Sequence, residues 1–366
     1  MTLATLRGWA VARSLFRSTT LRRAAERLGF VQADPIRSPA RAQDLTLRQR
    51  VTGYRTGDLE RRFHALGLEE DFFVNYGFVT DPIHRLMHPR VDSAGWSSTR
   101  RRRAVEVLAF VQARGEVHPR EVDDHFAHGT VVNYWGGSSS ATTHLLEHMQ
   151  YRGLLRVARR EKGIRIYAAH DVTTRAPLGL TPAERVDALI DVAVNLYAPL
   201  PGRTLAFLVN RLRYGVPQWS RHLKAGLQRA RQRLAHASID GVDWYWPAAE
   251  DPRSASPDDA VRLLAPFDPV VWDRTRFELL WGWAYRFEAY TPAPKRRFGY
   301  YALPMLWGEQ VIGWANISVI DGALRAEVGY VRGVPPRSRQ FRTALDSELE
   351  AIRRFLGVLP LITHNS

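Results

Sequence analysis

A glutamine and an aspartate stand two residues apart in the segment FVQADPI, residues 30–36, as Gln32 and Asp34. Pro35 disfavours the α-helical region for the residue before it, so we expect Asp34 to be extended. Residues two apart in an extended segment face the same way, which places an amide beside a carboxylate. Such a pair suits hydrolysis of a glycosidic bond. The anion stabilises an oxocarbenium-like sugar or accepts the proton of a water molecule, and the amide orients that water.

The spacing of Gln32 and Asp34 has a simpler interpretation as well. An aspartate at a helix-to-loop turn commonly accepts a hydrogen bond from nearby backbone amides, which requires no chemistry. On spacing alone this capping role is the more frequent one. The residues by themselves therefore leave a catalytic and a structural interpretation open.

Residues 263–313 form the most unusual segment, because they combine many Trp, Tyr and Phe residues with cations. Flat rings interleaved with positive charge suit a surface that meets a polyanion, since cations bind phosphate and rings pack on sugars and bases. We therefore predict DNA contacts from this segment. The residues concerned are Arg274, Arg276, Lys295, Arg296 and Arg297.

A second group of candidate DNA contacts lies near the middle of the chain. Four arginines open a predicted helix, where their charge opposes the helix dipole, so phosphate contact explains them at least as well as a solvated face. Short hydroxyl donors at the start of a later helix suit phosphates. The predicted contacts are Arg100, Arg101, Arg102, Arg103, Ser139, Thr142 and Thr143.

Composition agrees with a nucleic-acid partner. The net charge of +15 on 366 residues favours binding to DNA phosphates. The absence of cysteine excludes disulfides and thiolate metal sites, and no apolar run reaches the length of a membrane helix. Arginines are spaced through the apolar residues of the first segment, so we expect no secretory signal there. We expect a cytoplasmic, nucleoid-associated monomer that binds double-stranded DNA, needs no cofactor or metal, and has no membrane or obligate protein partner.

Histidines offer weaker signals. His144 and His148 belong to an H-x-x-E-H string that formally resembles a zinc-binding pattern. It falls inside a helix whose Leu145, Leu146 and Met149 are needed for packing, so we expect no metal there. The helix-spaced pairs His84/His88 and His125/His128 are interpreted as surface histidines without a role.

Repeated helix–helix–helix–hairpin patterns predict an α+β fold of three tandem winged helix-turn-helix units and a C-terminal β-barrel or sheet domain with a closing helix. The predicted parts are residues 1–98, which hold Gln32 and Asp34, and then 99–175, 176–255 and 256–366. The second part is the clearest, with an amphipathic helix over residues 100–113 that carries Val105, Leu108, Ala109 and Gln112 on one side. The first part is the least regular, with predicted helices over residues 3–17, 20–28, 39–52 and 58–66 and a strand-like stretch over 71–79.

Two runs in the C-terminal region resemble a known family signature. They are APFDPVVWDR, residues 265–274, and YRFEAYTPAPKRRFGYYALPML, residues 285–306. Both are similar to the C-terminal signature of the AlkZ/YcaQ family of winged-helix DNA glycosylases. The resemblance implies tandem winged helices in a C-shaped body with a C-terminal β domain. It also implies a catalytic Gln-x-Gln or Gln-x-Asp motif, which Gln32 and Asp34 match in the second, YcaQ-like form. Family members often carry a His-Glu pair near residues 73–79, and this chain has none there.

The sequence therefore predicts a monofunctional DNA glycosylase that removes alkylated purines, chiefly N7-alkylguanine, bulky adducts and interstrand crosslinks, from DNA. Two alternatives remain at this point. A winged-helix transcription regulator fits the basic charge and the repeated units equally well. A DNA-binding relative that has lost catalysis fits the missing His-Glu pair.

Overall fold

The computed structural model describes residues 1–91, 95–132, 138–170, 178–254 and 258–358. Helices and strands alternate along the chain, so the predicted mixed α+β class is confirmed. The chain forms two compact units. One comprises Met1–Leu59, Ala193–Phe207 and Ala230–Ser366, and the other comprises Glu60–Val192 and Leu208–Arg229. The division into four parts by sequence order remains a prediction. No helix within the described ranges is long and apolar enough to cross a membrane.

The N-terminal residues form short helices and strands. Their bounds are α1 Leu3–Ser14, α2 Leu21–Leu28, β1 Phe30–Gln32, α3 Ala42–Arg48, α4 Asp58–Arg62, β2 Leu68–Phe72, β3 Tyr76–Thr80 and α5 Asp81–Met87. Thr2 and Thr20 cap α1 and α2 by accepting hydrogen bonds from backbone amides. The helix predicted over residues 39–52 is wrong in length, because Arg41 still has an extended backbone. The strand-like stretch 71–79 is in fact a hairpin, in which Phe72 of β2 lies opposite Tyr76 of β3.

The clearest predicted part has the expected order of three helices followed by a hairpin. Its elements are α6 Ser98–Arg114, β4 Glu116–Val117, α7 Pro119–Phe126, β5 Thr130–Val132, β6 Ser138–Ser140, α8 Ala141–Arg152, β7 Leu155–Glu161 and β8 Ile164–Ala169. Pro119 opens α7, and Gly153 ends α8 in the left-handed conformation. Lys162 and Gly163 form the β7–β8 turn with positive φ angles, and β4 pairs with β8.

The buried face of α6 differs from the predicted one. Ala104, Val107 and Val111 are buried, whereas Val105 is 68% exposed. The predicted helix is therefore confirmed, but the predicted buried face is wrong. The mixture of polar and apolar residues in α6 is compatible with several buried faces. Contacts with the neighbouring elements decide which face is buried.

The next segment contains helices followed by a hairpin. Its elements are α9 Pro182–Tyr197, β9 Leu200–Pro201, α10 Gly202–Gly215, α11 Leu223–Arg233, β10 Ala235–Ile239 and β11 Val242–Trp246. Thr181 and Glu184 exchange hydrogen bonds as a capping box at the start of α9. Asp240 and Gly241 form the tight turn between β10 and β11, both with positive φ angles.

The C-terminal region contains a four-stranded antiparallel sheet in the order β12-β13-β14-β15. Its elements are β12 Val261–Leu263, α12 Arg274–Trp281, β13 Leu303–Trp307, β14 Gln310–Ile320, β15 Ala323–Tyr330 and α13 Arg339–Leu356. The long segment between β12 and β13 folds as α12 and irregular turns, although we predicted it to be rich in strands. Glu348 of α13 accepts hydrogen bonds from the backbone of Leu263 and from Arg48, so it joins α13, β12 and α3.

The core of this unit unites the two ends of the chain. Val11 and Leu15 of α1 pack with buried residues of the segment that precedes and enters the sheet. That segment contributes Leu264, Val270, Val271, Phe277, Trp283, Tyr285, Phe298, Ala302 and Leu306. Residues that the sequence assigned to the first and last of four parts therefore share one hydrophobic core.

Candidate functional site

Asp34 lies in a turn that directly follows β1. Pro35 comes next, and the Asp34 Oδ1 atom accepts a hydrogen bond of 2.9 Å from the backbone amide of Ile36. This is a local aspartate turn, which is the capping role that the sequence left open. The backbone amide of Asp34 donates to the Oε1 atom of buried Gln43 in α3, at 3.2 Å. The backbone of Asp34 is therefore tied down on both sides.

The turn uses only one of the two carboxylate oxygens. Among the described residues, the Oδ2 atom of Asp34 has no hydrogen-bond partner. Asp34 is half-buried, and this burial raises the pKa of its carboxyl group, although the bond from Ile36 opposes the shift. A partly desolvated carboxylate with one open oxygen is able to accept a proton or to face a developing positive charge.

Gln32 stands at the end of β1, two residues before Asp34, and its side chain is half-buried. Gln32 is the last residue of β1, and one residue, Ala33, separates it from Asp34. The predicted placement of the amide beside the carboxylate stays a prediction. The catalytic role of Gln32 remains a prediction.

Tyr301 is a neighbour that the sequence analysis missed. Its side chain is 2% exposed, and its ring packs edge-on against Phe287, with centroids 5.3 Å apart. Burial raises the pKa of Tyr301, and the negative charge of Asp34 raises it further. No sequence pattern separates Tyr301 from Tyr300 beside it, which is 43% exposed. Only the fold shows which of the two tyrosines is buried.

The aromatic segment, residues 263–313, is largely buried, which corrects the expectation that its rings line a surface. Trp283, Tyr285 and Phe298 are each less than a tenth exposed and belong to the core described above. The exposed rings of this segment are Tyr290, at 81%, and Tyr300. Most of the rings therefore stabilise the fold, and few remain available to bases or sugars.

Of the five cations predicted here, Arg276 lies inside and Arg274 is partly covered. Arg276 has no exposed surface, and its guanidinium donates to the carbonyls of Pro199, Pro269 and Val270. Burial lowers the pKa of Arg276 to about 10. Arg274 is half-buried, and its Nη1 atom donates to the carbonyl of Pro266. Arg276 is thus inaccessible to a DNA phosphate in this structure, because its donors already hold the loop before α12 in place.

The other three cations lie at or near the surface. Lys295 and Arg297 are exposed. Arg296 is half-buried, donates from Nε to the carbonyl of Thr291 and stacks over the ring of Tyr300 at 5.0 Å. Lys295 and Arg297 are therefore accessible to a phosphate group.

The arginines at the start of α6 differ in environment. Arg101 and Arg102 are exposed, whereas Arg100 and Arg103 are half-buried. These two line a cavity of about 350 Å³ together with His128, His144 and His148. The guanidinium groups of Arg100 and Arg103 give this cavity a positive charge, which suits an anion. The H-x-x-E-H string thus contributes two histidines to a basic cavity, while Glu147 forms an ion pair with Arg165 at 3.1 Å.

The hydroxyl residues near α8 are less accessible than predicted. Thr142 is completely buried, so its hydroxyl cannot meet a phosphate in this structure. Thr143 is half-buried and donates its backbone amide to the capping Ser140. Ser139 lies in β6, opposite Val131 of β5, rather than at a helix start. Its side chain lies outside the described part of the structure.

The comparison with known proteins identifies the family. A family model described as DNA glycosylase AlkZ-like matches residues 25–355, which include Gln32, Asp34 and the C-terminal signature. The chain belongs to the AlkZ-like DNA glycosylase family.

A solved structure agrees with this membership. The fold is similar to that of Streptomyces sahachiroi DNA glycosylase AlkZ, with a TM-score of 0.66 over 99% of this chain and 98% of that one. The sequence identity is 14%, so this likeness concerns the fold. Family membership makes the protein a DNA glycosylase, a hydrolase of DNA repair whose partner is DNA. The transcription-regulator alternative is therefore wrong.

The second unit contains a buried charged cluster that the sequence analysis also missed. Asp71 accepts hydrogen bonds from Arg90 at 2.6 Å and from the Nε2 atom of His88 at 2.8 Å, and the Nε2 atom of His84 lies 3.6 Å away. His84 and His88 are buried, which corrects their interpretation as surface histidines. His125 is exposed, as expected.

Asp71, His84 and His88 are the group of residues, within the described ranges, whose ligand atoms lie close enough to hold a metal ion. Asp71 is already paired with Arg90, whose guanidinium also donates to the carbonyls of Phe72, Tyr151 and Gly215. A metal cation would have to enter beside this buried positive charge, which is unfavourable. The cluster is therefore explained as an ion-pair network that joins β2 to the loop after α5.

Proposed function

We propose that this DNA glycosylase is monofunctional and hydrolyses the N-glycosidic bond of alkylated purines, chiefly N7-alkylguanine, including bulky adducts and interstrand crosslinks. The observation that carries the proposal is the open Oδ2 atom of Asp34 on a carboxyl group whose pKa is raised by burial. A carboxylate of this kind suits hydrolysis at the anomeric carbon of a sugar. Asp34 would accept the proton of the attacking water or stabilise the sugar cation, and Gln32 would orient the water.

The substrate class follows from the catalytic groups available. An N7-alkylated guanine already carries a positive charge, so it departs from the sugar without being protonated by a general acid. A single carboxylate and an ordered water then suffice. We therefore assign no cofactor and no metal ion to the reaction.

The Gln-x-Asp form of the motif places the protein, in our proposal, in the YcaQ-like branch of the family. We further propose that the helix–helix–helix–hairpin repeats are three winged-helix units, followed by the C-terminal sheet domain. Among the predicted DNA contacts, the accessible cations Arg101, Arg102, Lys295 and Arg297 are favoured for the phosphate backbone. The protein would act on DNA as a monomer, without an obligate protein partner.

The assignment of Asp34 is tested by excision of N7-methylguanine from a duplex, with the abasic product revealed by alkaline cleavage. Asp34→Asn removes the charge and should slow excision about a hundredfold or more, equivalent to about 3 kcal/mol of barrier. Its binding to undamaged duplex should remain. Asp240→Asn, the same change in the exposed β10–β11 turn, is the matched control and should excise normally. A rate for Asp34→Asn within threefold of wild type would remove Asp34 from the mechanism.

The breadth of the substrate class is tested with a duplex that carries a nitrogen-mustard crosslink between its strands. We expect excision from the crosslink as well as from N7-methylguanine, and the same loss in Asp34→Asn. Activity on N7-methylguanine alone would restrict the proposal to small adducts.

Phosphate contacts are tested by the salt dependence of duplex binding. If about six phosphates are neutralised, log affinity against log salt should have a slope near −5. Removing the charges of Lys295 and Arg297 together should flatten the slope by about two units. The control is the pair Arg332 and Arg337, which are also exposed. Equal flattening by both pairs would mean that net charge, and not local contact, sets the slope.

The monofunctional mechanism predicts that no covalent amine intermediate forms with the abasic product. The chain has only three lysines, Lys162 in the β7–β8 turn, Lys224 in α11 and Lys295 in the aromatic segment. Borohydride should therefore trap no protein–DNA adduct, and the strand should stay intact until alkali is added. An adduct that disappears in Lys295→Ala would establish a lyase mechanism instead.

A further inference from the structure

The cavity of about 350 Å³ in the second unit, which we call the α6–α8 cavity, has an unusual set of polar groups. The first turns of α6, the helix α8 and the chain at residues 128–131 line it. Two arginines and three histidines contribute to its wall, and none of the described residues there is acidic. They are Arg100, Arg103, His128, His144 and His148.

Two other cavities, of about 550 Å³ each, differ from it in charge. One contains Arg262 together with Asp258, and these side chains pair at 2.6 Å. The other contains Arg337 together with Asp346. A carboxylate accompanies the guanidinium groups in both cases. The positive charge of the α6–α8 cavity has no such companion among its described lining residues, so it is available to an anion from outside.

The acidic residues near the α6–α8 cavity are engaged elsewhere. Glu147 pairs with Arg165 at 3.1 Å, and Asp123 accepts a hydrogen bond of 3.1 Å from the hydroxyl of Ser140. Arg103 forms neither a hydrogen bond nor an ion pair with any residue that the structure describes. A half-buried guanidinium at a cavity wall, with all of its donors open, is suited to bind an anion.

The histidines add donors of a second kind. The Oγ1 atom of Thr142 lies 3.4 Å from the Nδ1 atom of His128, and the His128 ring stacks on Phe126 with centroids 5.3 Å apart. Thr142 has no exposed surface, so its hydroxyl positions His128 and cannot meet an anion itself. Within the described ranges, the Nε2 atom of His128 and the ring of His144 have no hydrogen-bond partner. Imidazole nitrogens are donors suited to phosphate oxygens.

We propose that the α6–α8 cavity binds one phosphate group of the DNA backbone. Arg103 is its main ligand, His128 and His144 donate to the remaining phosphate oxygens, and Thr142 is a positioning residue. A guanidinium binds two oxygens of one phosphate with parallel hydrogen bonds, which matches an open arginine at a cavity wall. The inference rests on the DNA-binding part of the proposed function and does not depend on the role of Asp34.

The test measures the binding of the full-length protein to an undamaged duplex over a series of salt concentrations. Arg103→Gln loses one phosphate contact, so the slope of log affinity against log salt should flatten by about 0.9. If the affinities converge near about 1 M salt, this change corresponds to about eightfold weaker binding at about 0.1 M. Arg103→Lys keeps the charge and should keep most of the slope.

The matched control is Arg114→Gln, which removes the same charge at the exposed end of α6. Its slope should equal that of wild type. Equal slopes for Arg103→Gln and Arg114→Gln would overturn the proposal, whether both are flattened or neither is. Thermal unfolding of each variant verifies the fold, and the melting temperatures should stay within about 2 °C of wild type, because neither change affects a buried contact.

The role of the histidines is tested separately with His144→Gln, which should weaken duplex binding about two- to threefold. His125→Gln changes an exposed histidine and should bind normally. The double variant Arg103→Gln/His144→Gln should bind almost as well as Arg103→Gln alone, because both residues contact one phosphate. Fully additive losses would mean two separate contacts, and the single site would be wrong.

Inorganic phosphate distinguishes the DNA backbone from a free anion as the ligand. Its binding to wild type and to Arg103→Gln is followed by phosphorus NMR titration. If Arg103→Gln abolishes phosphate binding and leaves duplex binding unchanged, the cavity serves a free phosphate and the DNA assignment is overturned. Asp34→Asn should bind the undamaged duplex as wild type does, so an error in the role of Asp34 is detected by the excision assay alone.

Discussion

Asp34 in the first unit and Asp71 in the second are both withdrawn from solvent, yet their environments shift their acidity in opposite directions. Burial by itself would raise the pKa of Asp71, but Arg90 and His88 outweigh it and hold that pKa well below its usual range. At Asp34 burial prevails, and the pKa of the carboxyl group is raised. The difference is one of partners. Asp71 has a guanidinium and an imidazole, and Asp34 has a single backbone amide.

The comparison distinguishes a carboxylate that holds the fold from one kept available for a ligand. A structural ion pair satisfies both oxygens and leaves none for chemistry. A catalytic carboxylate retains an open oxygen, which costs stability and gains reactivity.

The largest expected effect is on stability at Asp71. Asp71→Asn leaves the buried guanidinium of Arg90 without its counter-charge and should cost about 3–5 kcal/mol of unfolding free energy. Asp34→Asn should change that free energy by no more than about 0.5 kcal/mol. Urea unfolding of the full-length variants measures both. Equal losses would show that Asp34 is structural too, and the comparison would fail.

Lowering the pH should reduce the excision rate through Asp34 and the stability of the fold through Asp71. The carboxylate of Asp34 is needed for excision, so the rate should fall about tenfold per pH unit below its pKa, starting above the ordinary aspartate value of about 3.9. Asp71 has a lowered pKa in the folded state, so its contribution to stability is present above about pH 3.9 and is lost as the pH falls further.

On acidification, activity should therefore be lost before folding. The contribution of Asp34 to stability changes with pH in the opposite direction to that of Asp71. Because the pKa of Asp34 is raised in the folded state, Asp34 favours folding only while its carboxyl group is protonated. This contribution disappears as the pH rises through the pKa of Asp34 in the folded state. A pH series of excision rates and far-ultraviolet circular dichroism checks the order. Simultaneous loss of both signals in wild type would contradict it.

A smaller effect is expected at Gln32. Gln32→Ala should slow excision about tenfold, less than Asp34→Asn, because a misplaced water still feels the charge of Asp34. Single-turnover kinetics on N7-methylguanine measures the ratio. A loss as large as that of Asp34→Asn would mean that the amide is as important as the carboxylate, and the separate roles would be wrong.

The smallest effect is expected at Gln43, which touches the backbone of Asp34 and not the open oxygen. Gln43→Met keeps the length of the side chain and removes the acceptor, at a cost of about 1 kcal/mol of stability. Excision should fall about threefold or less, since the turn through Ile36 remains. If Gln43→Met were as slow as Gln32→Ala, the position of Asp34 would depend on α3 more than on its own turn.

Much of the architecture was determined by local sequence. The start of α7 coincides with Pro119, the end of α8 with Gly153 and the β10–β11 turn with Asp240 and Gly241. These signals depend on the backbone conformation of a few adjacent residues, so a single sequence contains them. The family was recognisable for a related reason, because its C-terminal signature is a continuous run.

The tertiary structure alone decided which side chains are inside. Arg276 and Arg297 look alike in sequence, yet one is buried beneath carbonyl groups and the other is exposed. The rotation of α6 and the burial of His84, His88 and Tyr301 were equally hidden. The physical reason is that burial and pKa depend on neighbours hundreds of residues away. Val11 and Leu15 of α1 pack in one core with residues such as Leu264 and Phe277, and no local pattern encodes that contact.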